Sequence, residues 1–142
     1  MSTINLEVVS PDKKVFSGDI SMLIFRSTDG ELGILPKHAP LVAGMIPHVM
    51  RIRQEDGSES LMAVAGGFVE VTPEKIAVLA SAAEVPEEID ELRAEQSYKR
   101  AKDRIEKFHQ GGIEKESIDI KRAELALQRA KVRLLVKGKK ID

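Results

Sequence analysis

Six arginines in the C-terminal part of the chain share one spacing. Arg93, Arg100 and Arg104 lie at i, i+7 and i+11, and Arg122, Arg129 and Arg133 repeat that spacing. On a helix this spacing forms a single stripe. Guanidinium groups match phosphate oxygens in bidentate geometry, so two such stripes are a candidate site for a polyanion.

The alternative is that these stripes are ordinary solvated helix faces. Acidic residues are interleaved with the arginines, and pairs such as Glu95–Lys99 and Asp103–Lys107 stabilise an exposed helix by about 0.2–0.5 kcal/mol each. Charge alone leaves both interpretations open.

Other residues with catalytic or metal-binding chemistry are sparse. His38, His48 and His109 are scattered without metal-ligand spacing, and the chain has no cysteine. The sequence contains neither a nucleophile elbow nor a phosphate-binding P-loop motif. The paired acids Glu87 and Glu88 suit a helix start. We therefore expect no metal site and no catalytic site of the chain's own.

Charge divides the chain into two parts. Residues 1–85 carry seven basic and eleven acidic residues, a net charge of −4, and residues 86–142 carry fifteen and twelve, a net charge of +3. Such asymmetry suggests two domains with different partners. No apolar run approaches the about 20 residues that a bilayer requires, so we expect no direct membrane insertion and no secretory signal.

The first part is typical of a β domain. Ile4, Leu6 and Val8 alternate with polar residues, as in a half-buried strand, and Asp56-Gly57 lies inside a hairpin pattern. Further strands are predicted at Lys14–Ser17, Ser21–Ser27, Glu31–Leu35, Val49–Gln54, Ser60–Ala65, Phe68–Val71 and Ile76–Ala80. Many short strands favour a sandwich or barrel.

Two segments of the β domain are harder to assign. Three prolines make Leu35–Pro47 a poor central strand, so we interpret it as a loop with extended edges. Gly66-Gly67 indicates either a β-bulge, which is the favoured interpretation, or a close approach by another backbone.

The period changes near Pro86. Ala94, Tyr98, Ala101, Ile105 and Phe108 are spaced 4, 3, 4, 3, and Ile120, Ala123, Leu127, Ala130 and Leu134 are spaced 3, 4, 3, 4. Both patterns predict seams of packed helices. Pro86 suits the first turn of the first helix, Gly111-Gly112 its end, and Ser117 the cap of the second helix with Asp119 in its first turn. An alanine-rich seam predicts a weakly held hairpin.

Three motifs resemble the epsilon subunit of F-type rotary ATP synthases, bacterial type. Residues 29–41 read DGELGILPKHAPL, residues 66–71 read GGFVEV and residues 121–127 read KRAELAL. The motifs occur in the family's order, and the resemblance extends from about Ile4 to Val136.

The resemblance implies a β-sandwich of about ten strands over residues 1–84 and a helix–loop–helix hairpin over residues 85–142. It implies a non-catalytic rotor subunit that couples the catalytic head to the membrane ring. The implied partners are the gamma subunit, the c-subunit ring and, through an extended hairpin that inhibits ATP hydrolysis, the alpha and beta subunits. The implied location is peripheral, on the cytoplasmic face of the inner membrane, for a proton- or sodium-translocating enzyme.

The resemblance also implies an ATP site. Residues 89–94, IDELRA, fit the family's ATP-binding motif, in which ATP is a non-catalytic effector that favours the compact hairpin. The implied ATP-binding residues are Glu84, Ile89, Asp90, Arg93, Ala94, Arg100, Arg129 and Arg133. Glu31 and His38 match positions that contact the c ring, although each also suits an ordinary loop residue. The 109–117 connection is longer than in typical ATP-binding members.

Two alternative functions stay open on the sequence alone. A nucleic-acid-binding adaptor would use the basic segment from Arg129 to Lys140, but acids interrupt the stripes and the helices offer few rings such as Tyr98 for base stacking. A free-standing ATP sensor would bind ATP with the hairpin and would not belong to a rotary complex.

Overall fold

The structure, a computed structural model, describes residues 2–111 and 119–141. The chain divides into two compact units, Met1–Glu88 and Ile89–Asp142. The first is built from strands and the second from helices, so the expected order of a β domain followed by a helical hairpin is confirmed.

Ten strands lie in the described part of the first unit. They are β1 Ile4–Val9, β2 Lys14–Ile20, β3 Met22–Ser27, β4 Gly30–Ile34, β5 Leu41–Met45, β6 His48–Arg53, β7 Glu59–Val64, β8 Gly67–Val71, β9 Lys75–Ala80 and β10 Ala83–Glu84. The sheet order is β10-β7-β6-β3-β5-β8-β9-β1-β2, with β4 paired to β3. All pairs are antiparallel except β1 with β9.

The sheet folds over one mainly aliphatic core. β3 and β5 pair only at Ser27 and Met45, so this single residue pair is the narrow link between the two layers of the sandwich. Buried side chains from both layers form the core, with Phe25 as its largest member. The alternation predicted for β1 is confirmed, because Ile4, Leu6 and Val8 point inward.

The expectation of a loop over Leu35–Pro47 is wrong at β5. This strand pairs along its whole length with β8, from Leu41 opposite Val71 to Met45 opposite Gly67. Pro40 and Pro47 flank the strand and do not interrupt it, so no ladder donor is lost.

The preference for a bulge at Gly66-Gly67 is also wrong. Gly67 pairs in register with Met45 on one side and Ala80 on the other. Its φ is +135°, and a Cβ there would collide with the carbonyl oxygen of Leu79. The glycine therefore permits the close backbone approach that was the less favoured alternative.

The second unit contains helix α1, Glu91–Gln110, and helix α2, Ile120–Val136. Pro86 does not begin α1, because Pro86–Glu88 forms a separate 3₁₀ turn in the first unit. α1 ends as predicted at Gly111, whose φ is +77°. The cap of α2 is Asp119, whose carboxylate accepts from the backbone N–H of Arg122 at 3.1 Å. Ser117 and Gly112, with the rest of 112–118, lie outside the described residues.

Candidate functional site

The alanine-rich seam between α1 and α2 is confirmed. Ala94, Ala101, Ala123 and Ala130 are all buried. The helices run antiparallel, because Lys139, just beyond the end of α2, contacts Glu91 at the start of α1. Small side chains at the contact let the two backbones come close but bury little apolar area each.

Three members of the predicted ATP motif have structural roles. The Asp90 carboxylate accepts from the backbone N–H of Arg93 at 3.1 Å and so caps α1. Ile89 and Ala94 are buried, at 5% and 3% of their full exposure. The motif therefore fixes where the helix begins and presents Arg93 as an exposed cation in the first turn.

Helix geometry places the arginines on one flank of the hairpin. Every arginine on the two helices directly precedes a seam residue, as Arg93 precedes Ala94 and Arg129 precedes Ala130. One residue corresponds to a rotation of about 100°. In an antiparallel pair with facing seams, this rotation turns both stripes toward the same side.

That flank carries arginines from both helices. Arg93 and Arg100 are exposed on α1, and Arg129 is exposed on α2, while Arg133 is partly buried. Only a closed hairpin brings the two stripes together, so a multivalent anion would bind the closed form. The ordinary helix-face interpretation also finds support, since the Asp103–Lys107 ion pair forms at 3.2 Å.

Glu84 belongs to a different unit from the other predicted ATP-site residues. It is on β10, opposite Ala63 of β7, in the first unit. The other seven predicted residues belong to the second unit.

The two predicted ring-contact residues have local partners. Glu31 projects from β4, and its Oε1 lies 3.0 Å from Nη2 of Arg51 on β6. The Nδ1 atom of His38 lies 2.7 Å from the carbonyl oxygen of Ala39, so a local backbone group satisfies this ring nitrogen.

Sequence reasoning missed an exposed apolar patch on the sandwich. Val42, Phe68 and Leu79 are 70%, 60% and 56% exposed. They lie on the neighbouring strands β5, β8 and β9, and Phe68 stands directly opposite Leu79. The patch was missed because the sequence did not predict β5. Without that strand, Val42 could not be placed in the sheet beside Phe68.

Within residues 2–111 and 119–141 no cluster of acidic, histidine or cysteine side chains is arranged to hold a metal ion. Neither α1 nor α2 is long and apolar enough to cross a membrane.

Two family models match consecutive parts of the chain. Residues 3–86 match the β-sandwich domain of the ATP synthase delta/epsilon chain, and residues 87–138 match its long α-helix domain. The sandwich and hairpin therefore define a protein of the ATP synthase delta/epsilon chain family, to which this chain belongs.

Full-length relatives specify the subunit. The ATP synthase epsilon chain of Halalkalibacterium halodurans is 45% identical over 139 residues, which is 98% of this chain and 100% of that one. The epsilon chain of Bacillus velezensis is 46% identical over 138 residues, or 97% and 99% of the two chains. The resemblance to the epsilon subunit is thereby confirmed.

Solved structures share the fold. A chain of the Euglena gracilis mitochondrial ATP synthase, in a structure of its OSCP, F1 and c ring, aligns with a TM-score of 0.78 at 20% identity, covering 98% of this chain and 83% of that chain. A chain from the central stalk and c ring of the Tetrahymena thermophila enzyme gives 0.52 at 16% identity, covering 61% and 69%.

Proposed function

We propose that this chain is a non-catalytic rotor subunit of a proton- or sodium-translocating F-type ATP synthase. The sandwich attaches to the gamma subunit and the c ring, and the hairpin regulates ATP hydrolysis. The observation that carries this proposal is the match of both domains, in order, to one family whose full-length relatives are epsilon chains. Such a subunit sits peripherally at the cytoplasmic face of the inner membrane.

The apolar patch of Val42, Phe68 and Leu79 supports attachment to gamma through the sandwich. A contiguous exposed apolar patch on a sheet face marks a site of protein contact. Phe68 is the strongest candidate anchor, because a large aromatic side chain buries much area at little conformational cost.

Glu31 and His38 provide the proposed contact with the c ring. Glu31 is exposed on β4, and its carboxylate is held by Arg51 while remaining half open to solvent. Residues 35–40 carry His38 in the segment between β4 and β5.

The hairpin provides regulation. In the closed form the arginine flank binds ATP, with Arg93 and Arg100 contributed by α1 and Arg129 and Arg133 by α2. ATP at 100 times its Kd stabilises the closed form by about 2.7 kcal/mol. A free energy of this size is significant beside the small stabilisation that an alanine-rich seam provides. Low ATP therefore releases the hairpin, which extends toward the alpha and beta subunits and inhibits hydrolysis.

Binding to gamma is the test of the subunit assignment. The purified chain, mixed with the gamma subunit, is expected to elute as one complex in gel filtration. A Phe68→Asp variant should no longer form the complex. Phe16→Asp would not be a suitable control, because Phe16 packs against the core. Glu55→Lys, an exposed change in the β6–β7 turn, is the matched control. Failure to bind gamma would favour the free-standing ATP sensor or the nucleic-acid adaptor.

A further inference from the structure

One ion-pair cluster in the second unit has no part in the proposed ATP site. The ammonium of Lys139 lies 3.5 Å from Oε2 of Glu91 and 3.6 Å from Oε1 of Glu95. The two carboxylates are one turn apart on α1, and Lys139 follows the end of α2. The cluster therefore joins the two helices at the hairpin end opposite the connecting loop.

The backbone directs Lys139 toward this contact. After α2 the chain turns through Gly138, whose φ is +85°. The N–H of Gly138 donates to Leu135 at 3.0 Å and the N–H of Lys139 donates to Leu134 at 2.9 Å. These two bonds are the pattern of a Schellman cap, which fixes the direction of the residue that follows the glycine.

The cluster occupies the place where the apolar seam stops. The 3-and-4 spacing of the seam extends backward from Tyr98 through Ala94 to Glu91. Glu91 is thus a charged residue at a seam position, and it is partly buried. Leu134 and Val136 are buried in the last turn of α2, so at this end the hairpin combines apolar burial with the ion-pair cluster.

The cluster and the arginines lie on different flanks. Glu95 directly follows Ala94, whereas Arg93 directly precedes it, so about 200° of rotation separates them around α1. A phosphate chain on the arginine flank does not compete with Lys139 for its acidic partners.

We propose that Lys139, Glu91 and Glu95 form an electrostatic latch that holds the hairpin closed at this end and thereby preserves the ATP-binding flank. Arg93 lies between the two latched acids in sequence, so opening at this end separates Arg93 from the arginines of α2 first. The consequence for ATP rests on the proposed function, whereas the latch itself does not.

The direct test is hydrogen exchange on the full chain without ATP. Lys139→Gln is expected to accelerate exchange of the Tyr98 amide about two- to fivefold, the effect of losing an exposed ion-pair cluster. The amide of Ile105, two turns farther along α1, should change less because opening begins at the latch. Lys140→Gln removes the same charge from the adjacent exposed residue and should change neither amide.

Two further measurements identify the partners. In a Glu91→Gln/Glu95→Gln background, Lys139→Gln should have no additional effect. Raising the salt concentration from 0.05 M to 0.5 M should accelerate exchange in the wild-type chain more than in Lys139→Gln, because salt screens exposed ion pairs. An undiminished effect of Lys139→Gln in the double variant, or equal effects of Lys139→Gln and Lys140→Gln, would overturn the latch.

Calorimetry separates the latch from the ATP proposal. If the wild-type chain binds ATP, Lys139→Gln should raise the Kd for ATP. The factor of this increase should not exceed the factor by which Lys139→Gln accelerates exchange of the Tyr98 amide, because the latch changes only the population of the closed form. A larger loss would mean that Lys139 contacts the nucleotide and would contradict the latch. Absence of ATP binding in the wild type would overturn the proposed regulation by ATP, while the exchange result would still decide the latch.

Discussion

The guanidinium of Arg51 donates to the carboxylate of Glu31, with 3.0 Å between Nη2 and Oε1. The same guanidinium approaches Glu59 from its other side, at 3.8 Å between Nη1 and Oε1. The acid proposed to contact the c ring is therefore part of a charged network across β4, β6 and β7.

We predict that Glu31→Lys weakens attachment to the c ring more than attachment to gamma. The substitution reverses the exposed charge on β4 and also places a cation beside Arg51. The measurement is co-purification of the chain with the c ring and, separately, with gamma.

Arg51→Gln is the control for this prediction. It removes the intramolecular ion pair but leaves the Glu31 carboxylate in place, so it should affect ring attachment less than Glu31→Lys does. Equal loss of both attachments in Glu31→Lys, or no loss of either, would count against the assignment.

We predict that residues 1–84 fold without the hairpin and still bind gamma. All ten strands end by Glu84, and the core cluster draws its buried members from these strands. A chain that ends at Glu88 is the comparison, since it retains the Lys13–Glu88 ion pair at 2.8 Å and should be slightly more stable. If circular dichroism finds the chain ending at Glu84 unfolded, the proposed boundary is wrong.

Gly67→Ala is predicted to destabilise the sandwich by about 3 kcal/mol or more. A methyl group there meets the backbone carbonyl of Leu79, and the positive φ of +135° adds strain. Gly57→Ala is the control, because Gly57 also has a positive φ but open space around it, and should cost about 1 kcal/mol. Urea unfolding of both variants gives the comparison, and similar losses would mean that the Leu79 contact is unimportant.

Acid pH is predicted to weaken the packing of β1 against β2 and β9. Hydrogen bonds from Lys75 and Lys14 lower the pKa of Glu7 below its usual value of 4.5. A lowered pKa means that the folded chain favours the ionised form, so this stabilisation is present above the unfolded pKa and is lost as pH falls through the folded pKa.

Glu7→Gln should therefore reduce the free energy of unfolding at pH 7 and have progressively less effect as pH falls below 4.5. The measurement is urea unfolding at a series of pH values, with Glu74→Gln in the exposed turn before β9 as the control. A deficit in Glu7→Gln that is constant from pH 7 to pH 3 would contradict this attribution.

The sequence predicted the regular parts of the fold because their periods are clear. Eight strands, the β6–β7 hairpin and both helical seams follow from alternation, turn residues and 3-and-4 spacing. β5 was missed because prolines on both sides obscured five extended residues, and β10 because two residues carry no period.

The site was less predictable for a physical reason. Spacing places arginines on a helix face, but the shared flank follows only when the two seams are packed antiparallel. The partners of Glu31 and Glu91 are distant in sequence, so neither the Arg51 pair nor the Lys139 pair has a local signal. Val132 and Val136 are buried although they lie off the predicted seam, so the 3-and-4 spacing did not predict their burial.

Titration calorimetry of the full chain with ATP tests the central claim most directly, with Arg93→Ala and Arg129→Ala as the variants from α1 and α2. Saturable binding is predicted in the wild type, and each variant should bind more weakly because a closed hairpin needs arginines from both helices to hold the phosphates. Lys121→Ala, an exposed cation on α2 that does not precede a seam residue, should bind as the wild type does. No heat of binding at millimolar ATP, or binding unchanged in both arginine variants, would contradict regulation by ATP.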